Sequence, residues 1–261
     1  MRLSRIERWL LRAAMPLMII IVWQSVALSG TLKPVILPRF TDVLLALWKI
    51  ILNGEFVKHI GTSFLRVIAG FCIGGAFGLL FGFGCGLYRN MEKTFGKFFM
   101  LLFPIPKLAF VPISLLWFGI DEASKLFIIS LGSFYPIFIT VSNGVRQLDK
   151  KYVELATVLQ LSHGTFIRRI VIPNAYPYMI SGMRISMGAS WMCIIGAELA
   201  AGVVGIGYFL QDASTLSQTA RVMAGMISIG IVGKTMDYAL RYIEERIINW
   251  RKAYTGVHNG C

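Results

Sequence analysis

The hydrophobic pattern divides the chain into six apolar runs, at residues 13–28, 62–87, 98–118, 124–143, 178–199 and 222–243, separated by short polar stretches. About 20 apolar residues in a helix cross the hydrocarbon core of a bilayer. The pattern therefore predicts an all-α integral membrane protein with about six transmembrane helices in one domain, 13–243, and almost no chain left for a soluble one. Two of the polar stretches carry a helical periodicity of their own. Residues 41–52 place Leu44, Leu45, Leu47, Trp48 and Ile51 on one face, as in an amphipathic helix that lies at the membrane interface or packs on the bundle. Residues 150–173 are polar, partly basic and twice interrupted. They predict a helix over about 150–161 and another over 163–172, with Phe166, Ile167, Ile170 and Val171 on one face of the second and Arg168 and Arg169 on the other. Ser162 is placed to cap this second helix, Gly164 to relax the turn, and Pro173 to end the unit by removing a backbone donor.

With 56% hydrophobic and only 15% charged residues, the composition excludes an ordinary soluble domain. The net charge of +13 is unevenly spread. When the polar stretches are assigned alternately to two sides, sixteen Lys and Arg fall on the side that holds both termini and the 150–173 knob, including Arg2, Arg89, Lys93, Arg146, Lys150, Arg168, Arg241 and Arg251. Six fall on the other: Lys33, Arg39, Lys49, Lys58, Lys125 and Arg221. The positive-inside rule makes the first side cytoplasmic, with 1–12 and 244–261 as cytoplasmic tails. The basic excess is thus a topology signal and not a nucleic-acid surface, since no basic and aromatic repeat accompanies it. Residues 1–29 imitate a secretory signal, with a small-residue ending at Ala27-Leu28-Ser29; the five apolar runs that follow favour an uncleaved first span.

Within the runs, a few residues depart from plain hydrophobicity. The second carries glycines four apart at Gly70, Gly74, Gly78, Gly82 and Gly86, a small-xxx-small ladder that lets another helix approach closely, in this chain or in a second copy. The third is broken by Pro104, Pro106 and Pro112 and contains Lys107 and Ala109. Carbonyls freed by such prolines are tolerated at membrane depth only against protein or a wet cavity, so this segment is expected to line a pathway, or else to be a kinked packing helix with Lys107 reaching to the cytoplasmic interface. Glu198, near the end of the fifth run, needs a partner or water, as a gating group or a structural one. Arg184 in the same run reads as an interfacial anchor.

Catalytic chemistry has no foothold. His59, His163 and His258 fall in loops or tails without a carboxylate or thiol cluster, and Cys72, Cys85, Cys193 and Cys261 lack metal-ligand spacing. Gly233-Lys234-Thr235 imitates the end of a phosphate-binding loop, but the residue five before Gly233 is Ser228 rather than glycine and no strand precedes it. Lys234 is instead expected to pair with Asp237. No cofactor, metal or nucleotide is expected on this chain.

The stretch from Glu154 to Pro173 resembles the cytoplasmic EAA loop of bacterial ABC importer permeases, which docks on the ATPase subunit. Glu154, Ala156, Ile170 and Pro173 match that pattern, whereas Leu155 and Gln160 replace its first alanine and its glycine. A glutamine resists positive φ, so the turn is expected to shift towards Gly164. Pro106-Lys107-Leu108-Ala109-Phe110-Val111-Pro112, followed by Leu115 to Glu122, is similar to a segment of the sulfonate, nitrate and taurine group of these permeases. The resemblance implies a type I importer permease in the bacterial cytoplasmic membrane. It implies a homodimer joined by two ATPase subunits that carry ATP and Mg, and a periplasmic or tethered substrate-binding protein. The knob would transmit closure of the ATPase dimer to the spans. The cargo expected from the group is a small organic anion; a pyrimidine vitamin precursor is the alternative, and a secondary carrier the rival mechanism.

Overall fold

The computed structural model describes residues 5–247, and every regular element among them is helical. The rest of the expected tails, with Arg2, Arg251, His258 and Cys261, lies outside the described residues. In chain order the helices are α1 (Arg5–Leu28), α2 (Phe40–Leu52), α3 (Glu55–Leu87), α4 (Arg89–Met91), α5 (Lys97–Leu102), α6 (Val111–Phe118), α7 (Glu122–Arg146), α8 (Lys150–Val158), α9 (His163–Phe166), α10 (Ile172–Ala201), α11 (Ile206–Thr215) and α12 (Thr219–Ile247). π-helical turns at Glu92–Gly96 and Ile167–Val171 join α4 to α5 and α9 to α10, and a 3-10 turn at Lys107–Phe110 leads into α6. Helices α3 and α7 are each long and apolar enough to cross a membrane unbroken. Two bent pairs are long and apolar enough when each is taken as one span: Arg89–Leu102 with Lys107–Phe118, bent by 91°, and His163–Ala201 with Ile206–Thr215, bent by 43°. The shorter apolar stretch Ala14–Leu28 and the helix α12 occupy the places of the first and last apolar runs.

The glycine ladder finds its partner inside this chain. A Cβ on Gly70 would meet Ile129, on Gly78 the Phe134 carbonyl at 2.9 Å and Ile137 at 3.0 Å, on Gly82 Val141 at 3.0 Å, and on Gly86 Val145 at 2.6 Å. On Gly74 it would overlap the Ser130 carbonyl and Ser133. Every fourth residue of α3 thus fits against every fourth residue of α7 at a constant sequence offset, so the two helices run parallel with backbones in close approach. Helix α10 runs antiparallel to both, with Gly132 against Cys193, Gly182 against Thr140 and Gly144 against Tyr178. Val67, Ile129, Met187, Trp191 and Ile194 fill the space where α3, α7 and α10 meet.

A second layer surrounds this trio. Phe99 of α5 stacks edge-on to Phe134 and Phe138, and Val111 of α6 packs with Ile128, Cys193 and Ala197. Helix α2 joins α11 and α12 through Val43, Ile50, Ile206, Phe209 and Ala224. This differs from the expected apolar face of α2: Val43 and Ile50 are buried, whereas Leu44, Leu45, Trp48 and Ile51 are exposed. The helix is apolar on two sides, one gripping the bundle and the other open.

Two expectations about single residues change and a third is met. Arg184 is no free anchor but donates to Asp237 at 2.9 Å and Glu244 at 3.2 Å, tying α10 to α12. Lys234 pairs with Asp237 as expected, at 3.6 Å, with Arg184 the closer partner of that carboxylate. His59 stands within α3, where its Nδ1 accepts the Gly205 N–H at 3.2 Å.

Because the α3–α7 contact is made by backbone and branched side chains with nowhere to move, Gly78→Leu is expected to destabilise the bundle by several kcal/mol and to deplete folded chain from detergent extracts. Gly188→Ala, where a Cβ meets nothing within 4 Å, should leave the thermal midpoint in detergent unchanged or slightly raised.

Candidate functional site

One end of the bundle carries the expected knob. Asp149 caps α8 by accepting the Lys151 N–H at 3.0 Å, and Ser162 caps α9 by accepting the Thr165 N–H at 3.4 Å. Between them the chain turns through Gln160, which takes φ +49°. The Leu161 N–H reaches the Ala156 carbonyl at 3.0 Å and the Gln160 N–H the Thr157 carbonyl at 3.1 Å. These are the two bonds of a Schellman ending, with Gln160 at the left-handed position usually held by glycine. The expected shift towards Gly164 does not occur: Gly164 lies inside α9 and the strained residue is Gln160 itself. The two ending bonds and the cap at Ser162 hold it there. Pro173 also departs from expectation. It sits in the first turn of α10, and the helix runs on through the π turn at Ile167–Val171, so the proline does not end the unit. A proline is tolerated in a first turn, where its missing N–H is least needed.

Ala156 is buried at 8% exposure and anchors the knob, while Glu154 and Gln160 are exposed. Tyr152, Val153, Leu155, Val158 and Leu159 are exposed too, with Val158 at 78%. Val153, Ala156, Gln160, Leu161, His163 and Phe166 line a cleft of about 420 Å³ between α8 and α9. Ile170 and Pro173 border a smaller one with Leu148, Tyr152 and Arg169. At this end Tyr88 Oη lies 3.4 Å from His163 Nε2 of the knob, and the span ends are tied to one another where Tyr178 donates to Gln147 at 2.6 Å and Arg146 pairs with Glu92. An apolar ridge on a helix that is not part of a span is a surface awaiting a partner.

The opposite end is sealed by charge. Glu198 is 1% exposed, and its carboxylate accepts from Ser63 Oγ at 2.8 Å, Arg66 Nη1 at 2.7 Å and the Gly207 N–H at 3.0 Å. Arg66 also donates to Glu122 through Nε and Nη2, at 2.6 and 2.5 Å, and to the Val204 carbonyl. Lys125, itself buried, lies 3.3 Å from Glu122. The chain can fold back over Glu198 because Gly205 takes φ +135° and a Cβ there would overlap the carboxylate. The first N–H groups of α11 then point at Glu198 and at Ser63, whose hydroxyl accepts from Ile206 at 2.9 Å. A helix N-terminus favours negative charge, so α11 and Arg66 together offset the desolvation of the acid. Glu198 therefore sits in a closed cluster joining α3, α7, α10 and α11. The sequence reading located Glu198 but missed Arg66 as its partner. Each lies a few residues inside the corresponding end of its apolar run, but nothing in the sequence pairs those two runs.

The third region is the bend. Pro106, Ala109 and Pro112 are exposed and Lys107 is half-buried, its Nζ donating to the carbonyls of Phe103 at 2.7 Å and Ile105 at 3.3 Å. The ammonium thus covers carbonyls that the break leaves free.

Parallel and antiparallel membrane-length helices, a bent helix pair and an exposed helical knob together define a membrane-embedded helical subunit. Residues 74–249 match the family described as binding-protein-dependent transport system inner membrane component, and the chain belongs to that family, the permease subunits of ABC importers. It is 35% identical over 248 residues to an aliphatic sulfonates transport permease, SsuC, of Bacillus subtilis, covering 95% of this chain and 90% of that one. It is 35% identical to the SsuC of Escherichia coli over 95% of this chain and 96% of that one. With a bicarbonate transport system permease, CmpB, of Synechococcus elongatus it shares 33% identity over 88% and 86%. A chain of the MetNI methionine ABC transporter in an inward-facing conformation has the same fold, with a TM-score of 0.56 over 70% of this chain and 93% of that one at 16% identity.

Two outcomes are expected at this site. Arg66→Ala leaves Glu198 buried without its cation and should lower stability by about 3–5 kcal/mol, while Arg66→Met combined with Glu198→Leu should recover much of the loss; thermal unfolding in detergent reads both. Gln160→Gly relieves the left-handed strain by about 1 kcal/mol and should raise the unfolding midpoint without loss of membrane insertion.

Proposed function

We propose that this permease carries a small anion, of the sulfonate or bicarbonate kind, across the bacterial cytoplasmic membrane as one half of a homodimer, driven by two ATPase subunits that bind ATP and Mg. A substrate-binding protein delivers the cargo at the face opposite the knob. The knob docks on the ATPase from the cytoplasm, in keeping with the basic bias of that side, which also places both termini there. The observation that carries this reading is the exposed apolar ridge Tyr152–Val153–Leu155–Val158–Leu159 around the buried Ala156. A helix outside the spans that shows this much apolar surface gains by burying it against a soluble partner, and Glu154 beside it offers a rim charge. The anionic cargo rests on the named substrates of the SsuC and CmpB relatives.

In this mechanism closure of the ATPase dimer on ATP moves the two knobs, and α10 carries the motion to the spans. Glu154, Leu155 and Ala156 seat the knob; Gln160 and Gly164 shape its turn; Ile170 and Pro173 set its junction with α10. The test is recovery of the ATPase encoded beside this chain from membranes. Ala156→Asp places a charge at an 8% exposed position and should leave the chain in the membrane but reduce ATPase recovery and ATP-dependent uptake at least about tenfold, the equivalent of 1.4 kcal/mol of docking energy. Undiminished ATPase recovery and uptake would overturn the docking assignment. Uptake that follows a cation gradient and ignores ATP would replace the importer with a secondary carrier.

A further inference from the structure

Lys107 is a cation at membrane depth without a counter-charge. It opens the 3-10 turn at the 91° bend between α5 and α6. Its Nζ holds two backbone carbonyls and lies 4.6 Å from the ring centre of Phe103 and 4.5 Å from that of Tyr135. Tyr135 stands near the middle of α7, which places the ammonium about halfway along the bundle. Three other cations buried or half-buried within these helices are treated differently. Arg66 has Glu122 and Glu198, Lys125 has Glu122, and Arg184 has Asp237 and Glu244. Among the described residues no carboxylate is within 4 Å of Lys107 Nζ.

This difference has a chemical meaning. A lysine at the centre of a membrane helix costs about 2.5–3.5 kcal/mol on insertion scales. Carbonyls and aromatic faces offset part of that, yet they are neutral and leave the net charge in place. A carboxylate would cancel the charge and would also have to be displaced by any anion that came to bind. Carbonyls and rings hold the ammonium in position and leave its field available. The neighbouring surface is open, with Pro104, Pro106, Ala109 and Pro112 exposed.

We propose that Lys107 is the anion-selecting residue of the translocation path, meeting the negatively charged oxygens of a small oxyanion at mid-membrane while Phe103 and Tyr135 hold its stem and head against the bend. The assignment rests on the permease reading and extends it to a specificity residue. Cargo would exchange for a carbonyl at the ammonium, with no ion pair to break on entry and none to re-form on exit.

The test measures local potential and needs neither the natural cargo nor the ATPase, so failure of ATPase docking and failure here are separate results. Ala109→Cys is introduced into a chain whose own cysteines are replaced by alanine. In membranes, its rates of modification by the anionic 2-sulfonatoethyl and cationic 2-trimethylammonioethyl methanethiosulfonates are compared with Lys107, Lys107→Arg and Lys107→Gln present. The expected result is reaction with both reagents and an anion-to-cation rate ratio that falls about tenfold in Lys107→Gln, the effect of removing one charge carried two residues away. Lys107→Arg should keep the ratio. An unchanged ratio in Lys107→Gln would overturn the proposal. So would labelling by a lipid-permeant maleimide alone, which would mean that the bend faces lipid. Should Lys107→Gln fail to insert, the ratio in the Lys107 chain is read against that of a free thiol in solution: a higher ratio supports the assignment, and an equal or lower one overturns it.

Discussion

Inside a bilayer lipid tails are as apolar as leucine, so two helices stay together only where their surfaces fit. The contact between α3 and α7 meets that condition with five glycines on one side and Ile129, Ser133, Ile137, Val141 and Val145 on the other. The two helices are parallel and are separated in sequence by the whole bent span, so no tight turn sets their register. Shape alone sets it. Once they are fixed, α10 has a groove to fill, and the positions of Glu198 at one end and of the knob at the other follow from the course of α10.

The spans were legible because hydrophobicity over 20 residues is a strong signal, and the ladder because glycine every fourth position has few other uses in a spanning helix. The knob was legible in its caps: Ser162 behaves as its chemistry demands. What was not legible depended on local backbone geometry that residue type does not announce, or on distant contacts. Gln160 takes a left-handed conformation because Ala156 and Thr157 offer carbonyls that outweigh its own preference. Pro173 does not stop the helix because a π turn precedes it. Arg66 and Glu198 are 132 residues apart, and only the fold shows that one guanidinium serves both Glu198 and Glu122.

The two ends of the bundle are built on opposite principles. At the Glu198 end the polar groups are matched to one another: hydroxyl, guanidinium, carboxylates and the first N–H groups of α11 satisfy each other within the chain. At the knob end the chain leaves apolar side chains unmatched. The first arrangement is stiff, because removing any member exposes a buried charge. The second is adaptable, because a ridge of Leu and Val can seat on a complementary surface at little cost in ordering beyond its own side chains. Under the proposed docking, a subunit that takes force at one end and keeps its shape at the other is served by this division.

Continuity between α9 and α10 gives that division a mechanical reading. From His163 to Ala201 the backbone is helical without a break, a column of about 58 Å at 1.5 Å per residue. It is footed in the knob and headed by Glu198. A loop between knob and span would absorb a push as slack, whereas a hydrogen-bonded column delivers it as displacement. The wider π turn below Pro173 keeps that column whole where the first of its two prolines could have cut it, the second, Pro177, lying inside α10; under the proposed docking, a stroke applied at the knob would arrive at the far end undiminished.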